Sequence, residues 1–280
     1  MCDACVIDEV KRSMLSRRGL LGLGAAAGAA AVMPAGAALA QTQTAAPAAT
    51  REVRGTALAD LTHTLDPEFP TFSGQQQFFM DQRYRVEKDG YNLFDLRIDE
   101  HTGTHMDAPL HFSPDGLSVD QLPVADLMAP LAIVDIRAKA AESADAQVTP
   151  DDIKAWVSAN GELPERCVVA MNSGWAAHVG TPKFRNADAS GTMHFPGFHP
   201  DVAAMLLEGS AVGIAVDSLS LDFGISADFA THMAWLSAGR WGLECCAGLD
   251  ALPASGATII LGAPKHRGGT GGPARVFALV

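Results

Sequence analysis

The stretch His101-Thr102-Gly103-Thr104-His105-Met106-Asp107-Ala108-Pro109-Leu110-His111 packs three histidines and a carboxylate into eleven residues. Any fold for this chain must give that density of ligand-type side chains something to do. A helix is disfavoured there, because Gly103, Thr102, Thr104 and Pro109 all work against one. His101, His105, Asp107 and His111 all sit at odd positions. In an extended chain, residues of one parity point to one side, so the four groups can converge on one point. Pro109 also biases Ala108 toward extended geometry. The preceding run Phe94-Asp95-Leu96-Arg97-Ile98-Asp99 alternates apolar and polar, the pattern of a strand, and its polar parity runs into the histidines. The expectation is a strand whose solvent-side face turns into a metal site. Imidazole and carboxylate together suit Zn²⁺, Mn²⁺ or Fe²⁺. A histidine-rich polar turn is the competing reading, and it weakens as the number of ligand types in the cluster grows.

Residues 1–40 read as a signal peptide rather than as part of the fold. Lys11, Arg12, Arg17 and Arg18 precede an Ala/Gly-rich apolar run from Leu20 to Met33, and Ala38-Leu39-Ala40 offers a cleavage site after Ala40. Ser16-Arg17-Arg18-Gly19-Leu20-Leu21 resembles a twin-arginine export signal, which implies a periplasmic protein. The run is too short and too rich in glycine to make a stable membrane anchor. Residues 41–55 read as a flexible leader, and residues 56–280 as one domain. Losing residues 1–40 removes four basic and three acidic residues, which moves the formal net charge from −12 to −13. That acidity argues against nucleic acid or an anionic membrane as partner. Cys167, Cys245 and Cys246 remain, an odd number with two adjacent, so no disulfide framework is expected.

Within the domain, Leu58–Leu65 reads as a first strand carrying His63, which alone is more simply structural than catalytic. Leu131–Ile136, Val168–Met171 and Val212–Asp217 are short continuous apolar runs, as expected of strands covered on both faces. Between them, Thr149–Asn160 reads as a helix with Thr149 as N-cap and Pro150 at its first position, and His199–Gly209 as a second. Asp228–Gly239 reads as a helix carrying His232, and Trp241–Gly248 as a shorter helical turn carrying Glu244. The glycine-rich run 265–273 lacks the ending of a phosphate loop and reads as a mobile loop before a last strand, 274–280. The mixture is α/β. Phe69, Phe72, Trp175, Phe195 and Phe198 fall in loops able to wall a pocket for a flat ring; packing against the core is an equally good account of them.

The pattern His101-x-Gly103-Thr104-His105-x-Asp107-x-Pro109-x-His111 resembles the signature of the cyclase family of metal-dependent hydrolases, which includes bacterial kynurenine formamidase and isatin hydrolase. A looser likeness runs from Asp60-Leu61-Thr62-His63 to the C-terminus. The resemblance implies the swivelling β/β/α barrel-like fold, and a homodimer or higher assembly. It implies that His101, His105 and Asp107 hold one divalent ion, Zn²⁺ or Mn²⁺. Asp107 would bridge to a second ion held by His232 and Glu244. A metal-activated water would then attack a small aromatic amide, lactam or lactone. His111 is expected to be the general acid/base; the alternative is that it is a further ligand. An aryl formamide such as N-formylkynurenine is the leading substrate, with an isatin-like lactam or a lactone as the alternative. An exported location counts against the formamide. No Gly-x-Ser-x-Gly elbow supports a serine nucleophile. A secondary-metabolism cyclase and a non-catalytic periplasmic metal-binding protein are the remaining classes.

Overall fold

The computed structural model describes residues 57–280. The expected signal peptide and leader lie outside the described residues. Among the described residues, 82–94 form a small compact unit, and 57–81 with 95–280 form the large one. The small unit is a turn around the helix Val86–Asp89, closed by Gly90 at φ +83°. The Tyr84 and Tyr91 rings meet there at 5.2 Å, and the Val86 N–H donates to Asn92 Oδ1. No helix among the described residues is long and apolar enough to cross a membrane.

The strands, in chain order, are β1 (Leu58–Asp60), β2 (Phe78–Tyr84), β3 (Leu93–Ile98), β4 (His105–Asp107), β5 (Met128–Asp135), β6 (Gln147–Val148), β7 (Val168–Asn172), β8 (Gly197–Phe198), β9 (Gly213–Val216), β10 (Trp241–Glu244), β11 (Thr258–Gly262), β12 (Gly271–Pro273) and β13 (Arg275–Leu279). Nine of them make one sheet in the order β1-β13-β11-β5-β7-β9-β10-β4-β12, while β2 pairs with β3 and β6 with β8. The centre, β5-β7-β9-β10, is parallel, and the strands on either side of it pair antiparallel.

The apolar runs form the parallel centre because both faces are covered. Leu131, Ile133, Val168, Ala170 and Ala215 enter one core. Their neighbours Ala132, Val134, Val169, Met171, Ile214 and Val216 enter the other, the alternation that a pleated strand imposes. The second core is roofed by the helices Pro150–Asn160 and Pro200–Leu207. The first begins as expected, with Thr149 and Asp152 forming a capping box and Pro150 at the first position. It buries Ile153 and Trp156, each contributing roughly 1.5–3 kcal/mol, and the Trp156 Nε1–H donates to Ile133 O at 3.0 Å.

Three expectations need correction. Trp241–Gly248 is not a helical turn: Trp241–Glu244 is a fully buried strand, clamped between β9 and β4. Four residues are too few for periodicity to tell strand from helix, and the tertiary pairing decides. The first strand stops at Asp60, because Thr62 Oγ1 both donates to Val276 O at 2.9 Å and accepts from Val276 N at 2.8 Å. A side chain there replaces the backbone ladder. The glycine-rich run is not simply a loop, since its last three residues form β12 on the edge of β4. A Cβ on Gly271 would lie 2.2 Å from Met106 O, so only glycine allows this approach.

Candidate metal centre

The motif does not continue β3 as one strand. Gly103, at φ +71°, turns the chain, and only His105–Asp107 is extended. His105 and Asp107 share a face, and Met106 points into the core on the other. Pro109–His111 closes the segment as a 3-10 turn, so His111 arrives by a turn and not by strand parity. In register, Glu244 of β10 stands opposite His105, and Gly242 opposite Asp107. A Cβ on Gly242 would come within 3.3 Å of Asp107 Oδ2.

Asp107 is fully buried at the centre of the cluster. His101 Nδ1 lies 2.7 Å from its Oδ1, His105 Nε2 3.4 Å from the same oxygen, and His232 Nε2 3.4 Å from Oδ2. Glu244 completes the ring, with Oε2 3.2 Å from His105 Nε2 and Oε1 3.0 Å from His232 Nε2. The His111 ring stacks on His101 at 3.7 Å. Ligand-type atoms of His101, Asp107 and His111, and of His105, Asp107 and Glu244, lie within 4.8 Å of one another. All six residues named from the sequence therefore meet.

The histidines are held from behind. The His105 Nδ1 faces the Gly103 carbonyl at 2.9 Å. The His232 Nδ1 faces Asp222 Oδ2 at 2.6 Å, and Asp222 also accepts from the Thr231 and His232 N–H groups. Such partners fix the ring and tautomer of a ligating histidine.

The charges are not self-satisfied. Burial opposes a proton on His105, yet its contacts with Asp107, Cys245 and Glu244 push its pKa well above the ordinary value. Burial likewise opposes a proton on His232, and Asp107, Asp222 and Glu244 raise it. Burial would raise Asp107, but His101, His105 and His232 hold it well below the usual carboxylate range. His111 is different: burial lowers its pKa to about 4. His105 Nε2 and Asp107 Oδ2, although close to opposite partners, are buried without a hydrogen bond aligned to either. An unsatisfied buried polar group costs roughly 1–3 kcal/mol. A divalent cation among these imidazole and carboxylate donors would satisfy both atoms, so the residues present fit such an ion.

Over the cluster opens a cavity of about 290 Å³, with His101, His105, His111, His232 and Glu244 on its lining and Phe72, Phe112 and Phe229 as aromatic walls. Phe229 meets Phe72 at 5.8 Å and Phe112 at 5.6 Å between ring centroids. Of the aromatic residues expected to wall the pocket, only Phe72 does so. Phe69 is buried against Phe184. Trp175 is buried with its Nε1–H donating to Phe184 O at 2.9 Å. Phe195 and Phe198 are core residues. Loop position misled here because these loops lie under others and are packed. Phe112 and Phe229 were missed. Phe112 directly follows the motif, which was a usable signal. Phe229 caps the helix Ala230–Ser237 at φ +51°, a strained conformation that nothing in its sequence surroundings announces. Asp222 was also missed. His194 and His199 lie outside the cavity lining: His194 pairs with Asp145 at 2.9 Å, and His199 accepts from the Asp201 N–H.

Comparison with known proteins places this architecture. The putative cyclase family matches residues 59–223. Isatin hydrolase of Roseibium aggregatum is 36% identical over 193 residues, covering 65% of this chain and 73% of that protein. Kynurenine formamidase of Salinibacter ruber is 30% identical over 190 residues, covering 67% of this chain and 81% of that protein. The structure of isatin hydrolase A from Labrenzia aggregata, bound to benzyl benzoate, superposes with a TM-score of 0.76 at 34% identity, covering 80% of this chain and 93% of that one. The mixed sheet with its parallel centre is the fold of these cyclase-family structures. The chain belongs to the cyclase family, and it is an enzyme.

Proposed function

We propose that this enzyme is a divalent-metal-dependent hydrolase that cleaves the carbon–nitrogen bond of a small aromatic amide. The observation that carries the reading is one cavity whose floor is His101, His105, His232 and Glu244, set over the buried Asp107, and whose walls are Phe72, Phe112 and Phe229. His101, His105 and Asp107 would hold one ion, Zn²⁺ or Mn²⁺, and His232 and Glu244 would hold a second beside it. Bound there, such an ion supplies Lewis acidity and can lower the pKa of a coordinated water from 15.7 to about 7.

The chain's own residues do the rest. His111 is neutral near pH 7, because burial holds its pKa at about 4. A neutral imidazole at the cavity wall takes a proton from the attacking water, holds it on its ring nitrogen and returns it to the leaving nitrogen. The three phenylalanine rings orient a planar substrate and exclude bulk water. The Gly103 carbonyl and Asp222 keep the His105 and His232 rings aimed at the centre.

Among ring-bearing amides, a cyclic amide of the isatin type is favoured over N-formylkynurenine. The relatives named isatin hydrolase support this in both sequence and structure. Steady-state kinetics on isatin, N-formylkynurenine and an aryl lactone test the reading. Saturable, metal-dependent opening of the cyclic amide is the expected result, and exclusive turnover of the lactone would overturn it. We also propose export through the Arg17-Arg18 signal. Changing both arginines to lysine is expected to leave unprocessed precursor in the cell, and mature protein beginning at Gln41 would refute that route.

A further inference from the structure

Three histidines meet around Asp107, and they do not present the same nitrogen. His105 sets its Nδ1 against the Gly103 carbonyl at 2.9 Å. His232 sets its Nδ1 against the Asp222 carboxylate at 2.6 Å. Neither acceptor carries a hydrogen to donate, so each ring holds its proton on Nδ1 and turns Nε2 toward Asp107 and Glu244. His101 is reversed. Its Nδ1 faces Asp107 Oδ1 at 2.7 Å, and its Nε2 faces Thr270 Oγ1 at 2.9 Å.

A hydroxyl can donate or accept, so Thr270 alone leaves the His101 tautomer open. Glu100 closes the question. Its carboxylate accepts the Thr270 Oγ1–H, and it also accepts the Thr270 backbone N–H at 3.2 Å. With its only hydrogen committed to Glu100, the Thr270 hydroxyl can only accept from His101. We propose that, once a divalent ion displaces the proton between His101 Nδ1 and Asp107, the Glu100–Thr270 pair holds the remaining ring proton on Nε2, so that His101 offers Nδ1, and not Nε2, to the ion. Thr270 is thereby a positioning residue for the site, and the proposal rests on the metal reading given above.

The backbone around Thr270 is built for this contact. Thr270 O accepts the Ala108 N–H at 2.8 Å, and Gly269 O accepts the Val119 N–H at 2.9 Å. Gly271 and Gly272 then pair with Asp107 and Met106. A Cβ on Gly271 would stand 2.8 Å from His101 Cε1, so glycine there leaves the ring its place. A carboxylate–hydroxyl–imidazole chain of this kind extends the usual carboxylate–histidine–metal arrangement by one link.

The test uses full-length protein with Thr270→Val, which keeps the shape and removes the hydroxyl, and Thr270→Ser, which keeps the hydroxyl. Zn²⁺ affinity is read by competition with a chromophoric chelator. Thr270→Val is expected to weaken binding roughly 10–100-fold, as losses of such partners do, and Thr270→Ser to restore most of it. Should Thr270→Val fail to fold, Thr270→Ala against Thr270→Ser makes the same comparison. Long-range ¹H–¹⁵N correlation spectra of the Zn²⁺-loaded protein read the tautomers directly. They should show the proton on Nε2 of His101 and on Nδ1 of His105 and His232. A His101 proton on Nδ1, or equal Zn²⁺ affinity in the valine variant, would overturn the proposal while leaving the metal site intact. Absence of Zn²⁺ binding in the wild type would instead remove the site reading and this proposal with it.

Discussion

Asp107 and Asp217 are both fully buried carboxylates on strands of the same sheet or just beyond their ends, and their surroundings are opposite. Asp217 accepts from the Ser173 N–H at 3.1 Å, the Ser173 hydroxyl at 2.5 Å and the Trp175 N–H at 3.0 Å. Its donors are neutral, and burial raises its pKa to about 6. Asp107 faces three imidazoles, is held well below the usual range and keeps one oxygen without an aligned partner. A buried carboxylate wrapped by neutral N–H and O–H donors ties a loop to a strand. One surrounded by imidazole nitrogens and a second carboxylate is built around a cation.

The largest effect should come from removing the centre of the cluster. Asp107→Asn is expected to reduce hydrolysis to background, and dialysis against a chelator should do the same to the wild type, reversibly on adding Zn²⁺ or Mn²⁺. Asp217→Asn should keep most of its turnover. Equal losses in both variants, measured as kcat/KM, would break the distinction between them. Next in size, His111→Ala should lower kcat roughly 10²–10⁴-fold while the metal content stays at the wild-type level. Metal loss in proportion to activity would make His111 a ligand instead. Smaller again, Asp222→Asn should weaken metal binding roughly 10–100-fold by freeing the His232 ring, a loss read by chelator competition and recoverable at high metal concentration.

Asp217 sharpens the contrast through stability. Its folded pKa of about 6 stands above its ordinary value of 3.8, so the fold favours the protonated form. That contribution is present at low pH and is lost as pH rises through about 6. Relative to Asp217→Asn, the wild type should therefore lose on the order of 3 kcal/mol of unfolding free energy between pH 4 and pH 7. Denaturant titrations of both proteins across that range check it, and a constant difference would show that burial does not govern this carboxylate.

Much of this was legible in the residues. The density of ligand-type residues from His101 to His111 was enough to predict convergence, although strand parity accounts only for His105 and Asp107, and the Val/Ile runs were enough to predict strands covered on both faces. Thr149 and Pro150 marked a helix start that the capping box reproduces. The downstream half of the site was legible only through resemblance. Glu244 joins the cluster through the antiparallel register that sets it against His105, and His232 reaches it from the helix Ala230–Ser237; no local pattern encodes either meeting. Asp222 meets His232 ten residues along the chain, a spacing that forms no motif of its own, and Glu100 and Thr270 meet across 170 residues. The pocket walls failed for a different reason. An aromatic residue in a loop reads the same whether the loop lies over a cavity, like Phe72, or is packed beneath others, like Trp175.

The central claim is that the Asp107 cluster holds a divalent metal, and the metal content of purified protein tests it most directly. Mass-spectrometric metal analysis of the wild type, Asp107→Ala and Asp217→Asn, each after gel filtration, should find about one or two equivalents of Zn²⁺ or Mn²⁺ in the wild type and in Asp217→Asn, and essentially none in Asp107→Ala. A wild-type protein that hydrolyses its substrate at full rate without stoichiometric metal, or an Asp107→Ala variant that retains the ion, would contradict the account.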